Sequence, residues 1–330
     1  MTTEWNSDQV AQAVAALIHA GGRREAPPPE SYDRVLAAAQ ATWRHKVRRR
    51  RWWRIASGLA AAALLVTMSA VLLTTQRPLT ATVEVARVDR IIGGADTRAP
   101  GADSWAPLAG AAAALQVGTR LRTRENGVAG LTLRGGVSLR LAPLTEVELE
   151  SDARVRLSHG LLYADTGPGD GGTINVITPA GTAHDFGTQF EIRYEHERLR
   201  LRVREGRVAL LRDAQRVVAD AGTQVAVNAA GEVSRTTIAP SDPAWRWAEA
   251  VAPAPDFDGQ PVSLLLEWVA RETGRALRYT DDSVKRQASA TILHGKVGPL
   301  APFEALDVML ATTDFAYEIR DDSTIEVRHK

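Results

Sequence analysis

From Val83 to about Val233, apolar residues alternate with polar ones at a period of two. The runs are Leu131 and Leu133, Val137, Leu139 and Leu141, Val147 and Leu149, Val155 and Leu157, Ile174 and Val176, Leu199, Leu201 and Val203, Val208 and Leu210, and Val225 and Val227. Successive side chains of an extended chain face opposite sides, so this pattern predicts short strands with one face in a core. Asn126-Gly127, Gly135-Gly136, the GPGDGG run at 167–172, Glu205-Gly206 and Ala230-Gly231 fall between them as turns. The expectation is a mainly β body, a sandwich or a solenoid-like stack, and not a βαβ sheet. GPGDGG faintly resembles a nucleotide-binding loop, but it joins two strands, contains Pro168 and opens no helix, which predicts a plain loop.

The pattern changes on both sides of this body. Toward the amino terminus, Val10, Val14, Leu17 and Ile18 recur at helical spacing behind Asn6-Ser7-Asp8 and stop at Gly21-Gly22. After Pro27-Pro28-Pro29 a second stripe runs through Tyr32, Val35, Leu36, Ala39 and Trp43. Two such helices bury little core by themselves, so residues 1–54 read as a docking arm whose stripes, with Leu17, Ile18, Leu36 and Trp43, are completed by a partner. Ile55 to Gln76 is a run of 22 residues without a charge, long enough as a helix to cross a bilayer. It begins too late in the chain for a cleaved signal peptide and is expected to remain as an anchor.

Charge sets the orientation. The net charge of +1 conceals ten Arg and Lys against five Asp and Glu in residues 1–54, and 30 against 34 in the remainder. Seven basic residues, among them Arg48 to Arg51, precede the span, while Arg77, Arg87 and Arg90 follow it, which places the arm in the cytoplasm and residues 77–330 on the far side. Trp52 and Trp53 mark the headgroup level. Beside a span the RRRR run serves orientation and anionic lipid, so no nucleic-acid contact is expected. The chain has no cysteine, which excludes disulfides, thiolate metal sites and a cysteine nucleophile.

Beyond the alternating body, residues 239–255 lose the pattern, gain proline and read as a linker. In 256–330, Val262, Leu265, Leu266 and Val269 form one helical stripe and Phe303, Leu306 and Leu310 another. Strands are expected at 276–280, 289–296, 315–320 and 324–329, within an order read as β-α-β-β-α-β-β. With the chain ending at Lys330, the last strand, Thr324, Ile325, Glu326, Val327 and Arg328, is expected to be an open sheet edge onto which a partner adds a strand.

The runs VGTRLRT (117–123), LTLRGGVSLRLAPLTEVEL (131–149), GLLYAD (160–165), INVITPAGTAHDFGTQFEI (174–192) and LRVREGRVALL (201–211) resemble the periplasmic domain of FecR-type transmembrane regulators, here residues 77–238. Residues 256–330 look like the small STN module of secretins, TonB-dependent receptors and FecR-type proteins. The implied fold is mainly β with α+β: a helical arm, one membrane helix, an all-β domain and a small α+β module. The resemblance implies an inner-membrane anti-sigma regulator whose arm docks an extracytoplasmic-function (ECF) sigma factor. Its carboxyl end would take the signal from a TonB-dependent outer-membrane receptor, in iron-chelate uptake. A structural envelope protein without a transcriptional role is the alternative.

Little chemistry stands out. The seven histidines are scattered, with no HExxH or G-x-S-x-G, so neither metal nor cofactor is expected. Glu146, Glu148 and Glu150 share one strand face and read as solvated, and His184 and Asp185, adjacent in a strand, point to opposite faces. The resemblance implies one reactive bond, Gly187-Thr188, at which FecR-type proteins can cleave themselves. A threonine hydroxyl can attack the preceding carbonyl of a twisted peptide, and a glycine there permits the twist, although Gly187 also suits a plain strand end.

Overall fold

A computed structural model of the chain describes residues 7–22, 83–167, 172–212, 215–295, 298 and 300–330. The chain divides after Thr80 into two units, each taken by itself. In the first, α1 (Ser7–Ala20) is the predicted arm helix and is followed by Gly22 in the left-handed region. The expected second arm helix, with Leu36 and Trp43, and the expected span at 55–76 lie outside the described residues. Among those described, no helix is long and apolar enough to cross a membrane.

In the second unit the alternating segment forms seventeen strands among the described residues. They are β1 (Glu84–Ile92), β2 (Ala95–Arg98), β3 (Ala106–Pro107), β4 (Ala114–Gln116), β5 (Arg120–Thr123) and β6 (Val128–Leu133). Next come β7 (Ser138–Leu141), β8 (Glu146–Ser151), β9 (Arg154–Asp165), β10 (Asn175–Thr178), β11 (Gly181–Asp185) and β12 (Gln189–Glu195). The last are β13 (Arg198–Glu205), β14 (Arg207–Arg212), β15 (Gln215–Asp220), β16 (Thr223–Val227) and β17 (Val233–Thr237).

Pairing sorts them into two sheets. One runs β4-β1-β6-β7-β9-β12-β13-β16-β17. The other runs β3-β2-β5-β8-β9-β10-β11-β14-β15, antiparallel except for β9 with β10. The chain passes back and forth between the sheets, and side chains from both, such as Leu139, Phe190 and Leu201 from one and Leu149, Val176 and Leu210 from the other, make a single core. Of the two expected forms, this is the sandwich.

Strand β9 belongs to both sheets, pairing with β8 and β10 in its first half and with β7 and β12 in its second. It changes sheet at Gly160, which has φ 102° and where a Cβ would lie 2.5 Å from Thr145 Cα, so only glycine fits.

The stretch expected as a linker is packed instead. A 3-10 turn (Pro243–Trp245) leads into α2 (Arg246–Glu249), and Trp245, Ala248, Val251 and Ala252 are buried. Trp245 stands edge-on to Tyr163 of β9, ring centroids 6.1 Å apart, and its indole N–H donates to Ala239 O at 3.0 Å.

The carboxyl-terminal part is a small α+β module: α3 (Val262–Thr273), β18 (Ala276–Tyr279), α4 (Asp282–Ala290), α5 (Pro302–Ala311), β19 (Phe315–Arg320) and β20 (Thr324–His329). Both predicted helical stripes fall where expected, with Val262, Leu265, Leu266, Val269, Leu306 and Leu310 buried in one cluster. Gly274, left-handed at φ 63°, caps α3, and Glu304 reaches back to the Ala301 N–H at 2.9 Å to start α5.

Two expectations fail here. Where a strand is expected at 289–296, α4, started by the Asp281 carboxylate accepting from the Ser283 and Val284 amides, runs on to Ala290, and the described residues after it make a single bridge between Ile292 and Pro261. The order β-α-β-β-α-β-β therefore does not hold. Nor is the last strand an edge: β20 lies in the middle of the sheet, parallel to β18 and antiparallel to β19. Ile325 and Val327 are fully buried beneath the helices, and that burial draws the last strand to the centre.

Candidate functional site

The Gly187-Thr188 bond, expected to be reactive, lies between β11 and β12, where the chain leaves one sheet for the other. Gly187 is exposed and takes φ 77°, a conformation costly for any residue with a Cβ. Thr188, by contrast, is only 1% exposed. Its amide donates to Thr166 Oγ1 at 2.7 Å, and Thr166 returns two bonds to Thr188 O, from its amide at 3.1 Å and its hydroxyl at 3.2 Å. The Thr188 hydroxyl donates to Asp185 Oδ1 in a close contact. Gly206 holds the other side: a Cβ there would lie 2.4 Å from Gly187 O and 2.6 Å from Thr188 Cγ2.

Asp185 is itself 5% exposed, and its Oδ2 is buried without a hydrogen-bond partner. Burial raises its carboxyl above the ordinary carboxylate range, outweighing the Thr188 and Thr166 hydroxyls and the Gly187 and Ile174 amides, which lower it. The expectation that His184 and Asp185 face opposite ways holds, and the side that matters is the inward one.

A second cluster joins the sandwich to the module. Arg140, Tyr163, Glu191 and Arg202 stand in register on β7, β9, β12 and β13, a row across the outer face of one sheet. Alternation would leave this face in water, yet α2 and α3 cover it. Arg140 is 0% exposed and grips Glu272 of α3, Nη2 to Oε1 at 2.9 Å and Nη1 to Oε2 at 2.8 Å. Burial alone would lower the guanidinium's pKa, but attraction to Glu272 wins and raises it, so the arginine stays charged. Arg204 of β13 donates to Pro240 O at 2.7 Å, Glu272 O at 2.7 Å and Glu249 at 3.1 Å, beneath the Trp245 ring. Glu191 accepts from Arg200 at 3.2 Å and from the Trp247 indole at 3.0 Å.

The two clusters touch. Arg271 of α3 donates to Asp165 Oδ1 at 2.6 Å and to Glu205 at 2.5 Å, and Asp165 Oδ2 accepts from Gln189 at 2.8 Å. Asp165 and Gln189 are the chain neighbours of Thr166 and Thr188, so Arg271 of the module is tied to the ends of β9 and β12 that flank the Gly187-Thr188 bond.

The remaining named residues are placed as follows. Leu17 and Ile18 stand 74% and 72% exposed on α1, with Val10 and Val14 on the same helix. Thr324 to Arg328 form the central strand already described. Glu148 and Glu150, expected to be solvated, are half-buried and paired with Arg120 and Arg156. Among the described residues no group of acidic and histidine side chains could hold a metal. Sequence reasoning missed Arg140, a polar position in an alternating strand, Thr166 just past β9, and Arg271 and Glu272 on α3.

Two crystal structures of a candidate anti-sigma factor from Parabacteroides distasonis ATCC 8503, at 2.50 and 1.65 Å, are similar to this chain at 17% and 18% identity. Each alignment covers 64% of this chain and 98% or 99% of the other, with a TM-score of 0.35. No curated protein matches the sequence. Residues 119–209, from just before β5 into β14, match the family described as FecR protein.

Proposed function

We propose that this FecR-type regulator relays a signal across the inner membrane of a bacterium. In this reading residues 55–76 span the bilayer, α1 docks an ECF sigma factor in the cytoplasm, and residues 81–330 stand in the periplasm. There the STN-like module 256–330 receives the signal from the signalling domain of a TonB-dependent outer-membrane receptor during iron-chelate uptake. The Gly187-Thr188 bond is a site of self-cleavage within the relay.

The single observation that carries the reading is the FecR domain at 119–209. Two features of the geometry agree with it. The apolar stripe of α1 is exposed on a helix of 14 residues, a length marginal in water without a partner. The module is joined to the FecR domain by the buried Arg140–Glu272 pair and by Arg271–Asp165, so a force applied to one is felt by the other.

Transcription from a sigma-dependent reporter tests it. Leu17→Asp with Ile18→Asp removes burial worth roughly 1.5–3 kcal/mol per side chain from the docked helix. Reporter output should change markedly, and output equal to wild type would reject sigma-factor docking by α1.

A further inference from the structure

We propose that Asp185 is the proton acceptor when the Thr188 hydroxyl attacks the Gly187 carbonyl. The inference rests on the self-cleavage reading and supplies the residue that performs its proton transfer.

A buried hydroxyl is a weak nucleophile unless a base lies within hydrogen-bond reach, and here the two residues are three apart in sequence and in direct contact. Asp185 Oδ2 is buried without a hydrogen-bond partner, and burial outweighs the hydroxyls and amides that would lower the carboxyl's pKa. An aspartate serving only to fold the turn would gain from a partner on Oδ2. One buried with an oxygen unpaired holds its proton more tightly and is the stronger base. Gly187 adds the second element, a left-handed peptide pressed against Gly206 with its face open to water.

The step balances within the chain. Oγ1 of Thr188 bonds to the Gly187 carbonyl carbon, closing a five-membered ring, as its proton passes to Asp185. The carbon–nitrogen bond then breaks, leaving an ester on Thr188 Oγ1, and the proton returns to the Thr188 nitrogen, against which the Thr166 hydroxyl already lies at 2.7 Å. Water then splits the ester, giving a Gly187 carboxyl group, the free Thr188 hydroxyl and a new amino terminus at Thr188.

The full chain synthesised in a cell-free system with lipid nanodiscs, sampled over time on denaturing gels, tests the proposal. Wild type should convert to fragments 1–187 and 188–330, the second beginning Thr-Gln-Phe, and hydroxylamine should speed the conversion by trapping the ester. Thr188→Ala should stay whole. Asp185→Asn should slow cleavage about 100-fold or more, the usual worth of a general base, at an unchanged melting temperature or a higher one. The wild-type rate should also rise with pH through an ionisation above the ordinary carboxylate range, a readout that needs no variant to fold. If wild type cleaves and Asp185→Asn cleaves equally fast, or the wild-type rate is flat with pH, Asp185 is not the base and self-cleavage stands. If wild type stays as whole as Thr188→Ala, both fall.

Discussion

Replacing Arg140 by methionine removes one side of the pair that fastens the module to the FecR domain. The pair is almost fully enclosed, with side-chain exposures of 0% and 5%, so solvent does little to screen it. Methionine fills most of the space but leaves the Glu272 carboxylate buried and uncompensated, which costs about 3–5 kcal/mol. With an m-value of about 3 kcal/mol per molar urea, the unfolding midpoint of residues 81–330 should fall by about 1–1.7 M. Tryptophan fluorescence is a suitable probe, because Trp245 packs beside Tyr163 and over Arg204 at this interface. The double variant Arg140→Met with Glu272→Leu removes both charges together and should recover most of the loss, since a buried pair replaced by apolar groups is often neutral. A single Arg140→Met variant within about 1 kcal/mol of wild type would refute the buried-lock account, as would a double variant as unstable as the sum of the singles.

Other consequences can be checked separately. Gly274→Ala should lower the melting temperature by several degrees, because a Cβ there would sit 2.1 Å from Pro240 O in a left-handed conformation that itself costs about 1–2 kcal/mol. Fragments 1–187 and 188–330 should co-elute under native conditions and part only in denaturant, since β12 of one remains paired with β9 of the other from Gln189–Asp165 to Tyr194–Gly160. Burial raises the folded Asp185 pKa above its unfolded value of 3.8, so its contribution to stability is full below that pH and is lost as pH rises through the folded pKa. Asp185→Asn should therefore be more stable than wild type at neutral pH, a gain that denaturation at pH 3 should not show.

Alternation made the sandwich legible because each strand turns one side to a single core. It could not show that β9 serves two sheets, since only the crowding around Gly160 explains that exchange. The same alternation hid the interface. In SLRL of β7, Leu139 and Leu141 face the core and Arg140 should face water, yet all four residues are buried because Val251 and α3 lie across the outer face. The α4 helix escaped notice because only Val284 and Ala288 on it are buried, too few for a visible stripe. The final strand was misplaced because the chain's end was read as a sheet's edge, whereas the burial of Ile325 and Val327 draws it to the centre. At the Gly187-Thr188 bond the sequence displayed the bonded pair but not the hydrogen bonds of Thr188 to Asp185 and Thr166, which follow from a turn that folds back on the end of β9.

The most direct test of the central claim is affinity purification of the full chain from its native host, with bound proteins identified by mass spectrometry, beside the Leu17→Asp, Ile18→Asp variant. The account predicts a sigma subunit bound to wild type and lost from the variant, while periplasmic partners are retained by both. Wild type and variant capturing the same proteins, or no sigma subunit bound to wild type, would contradict it.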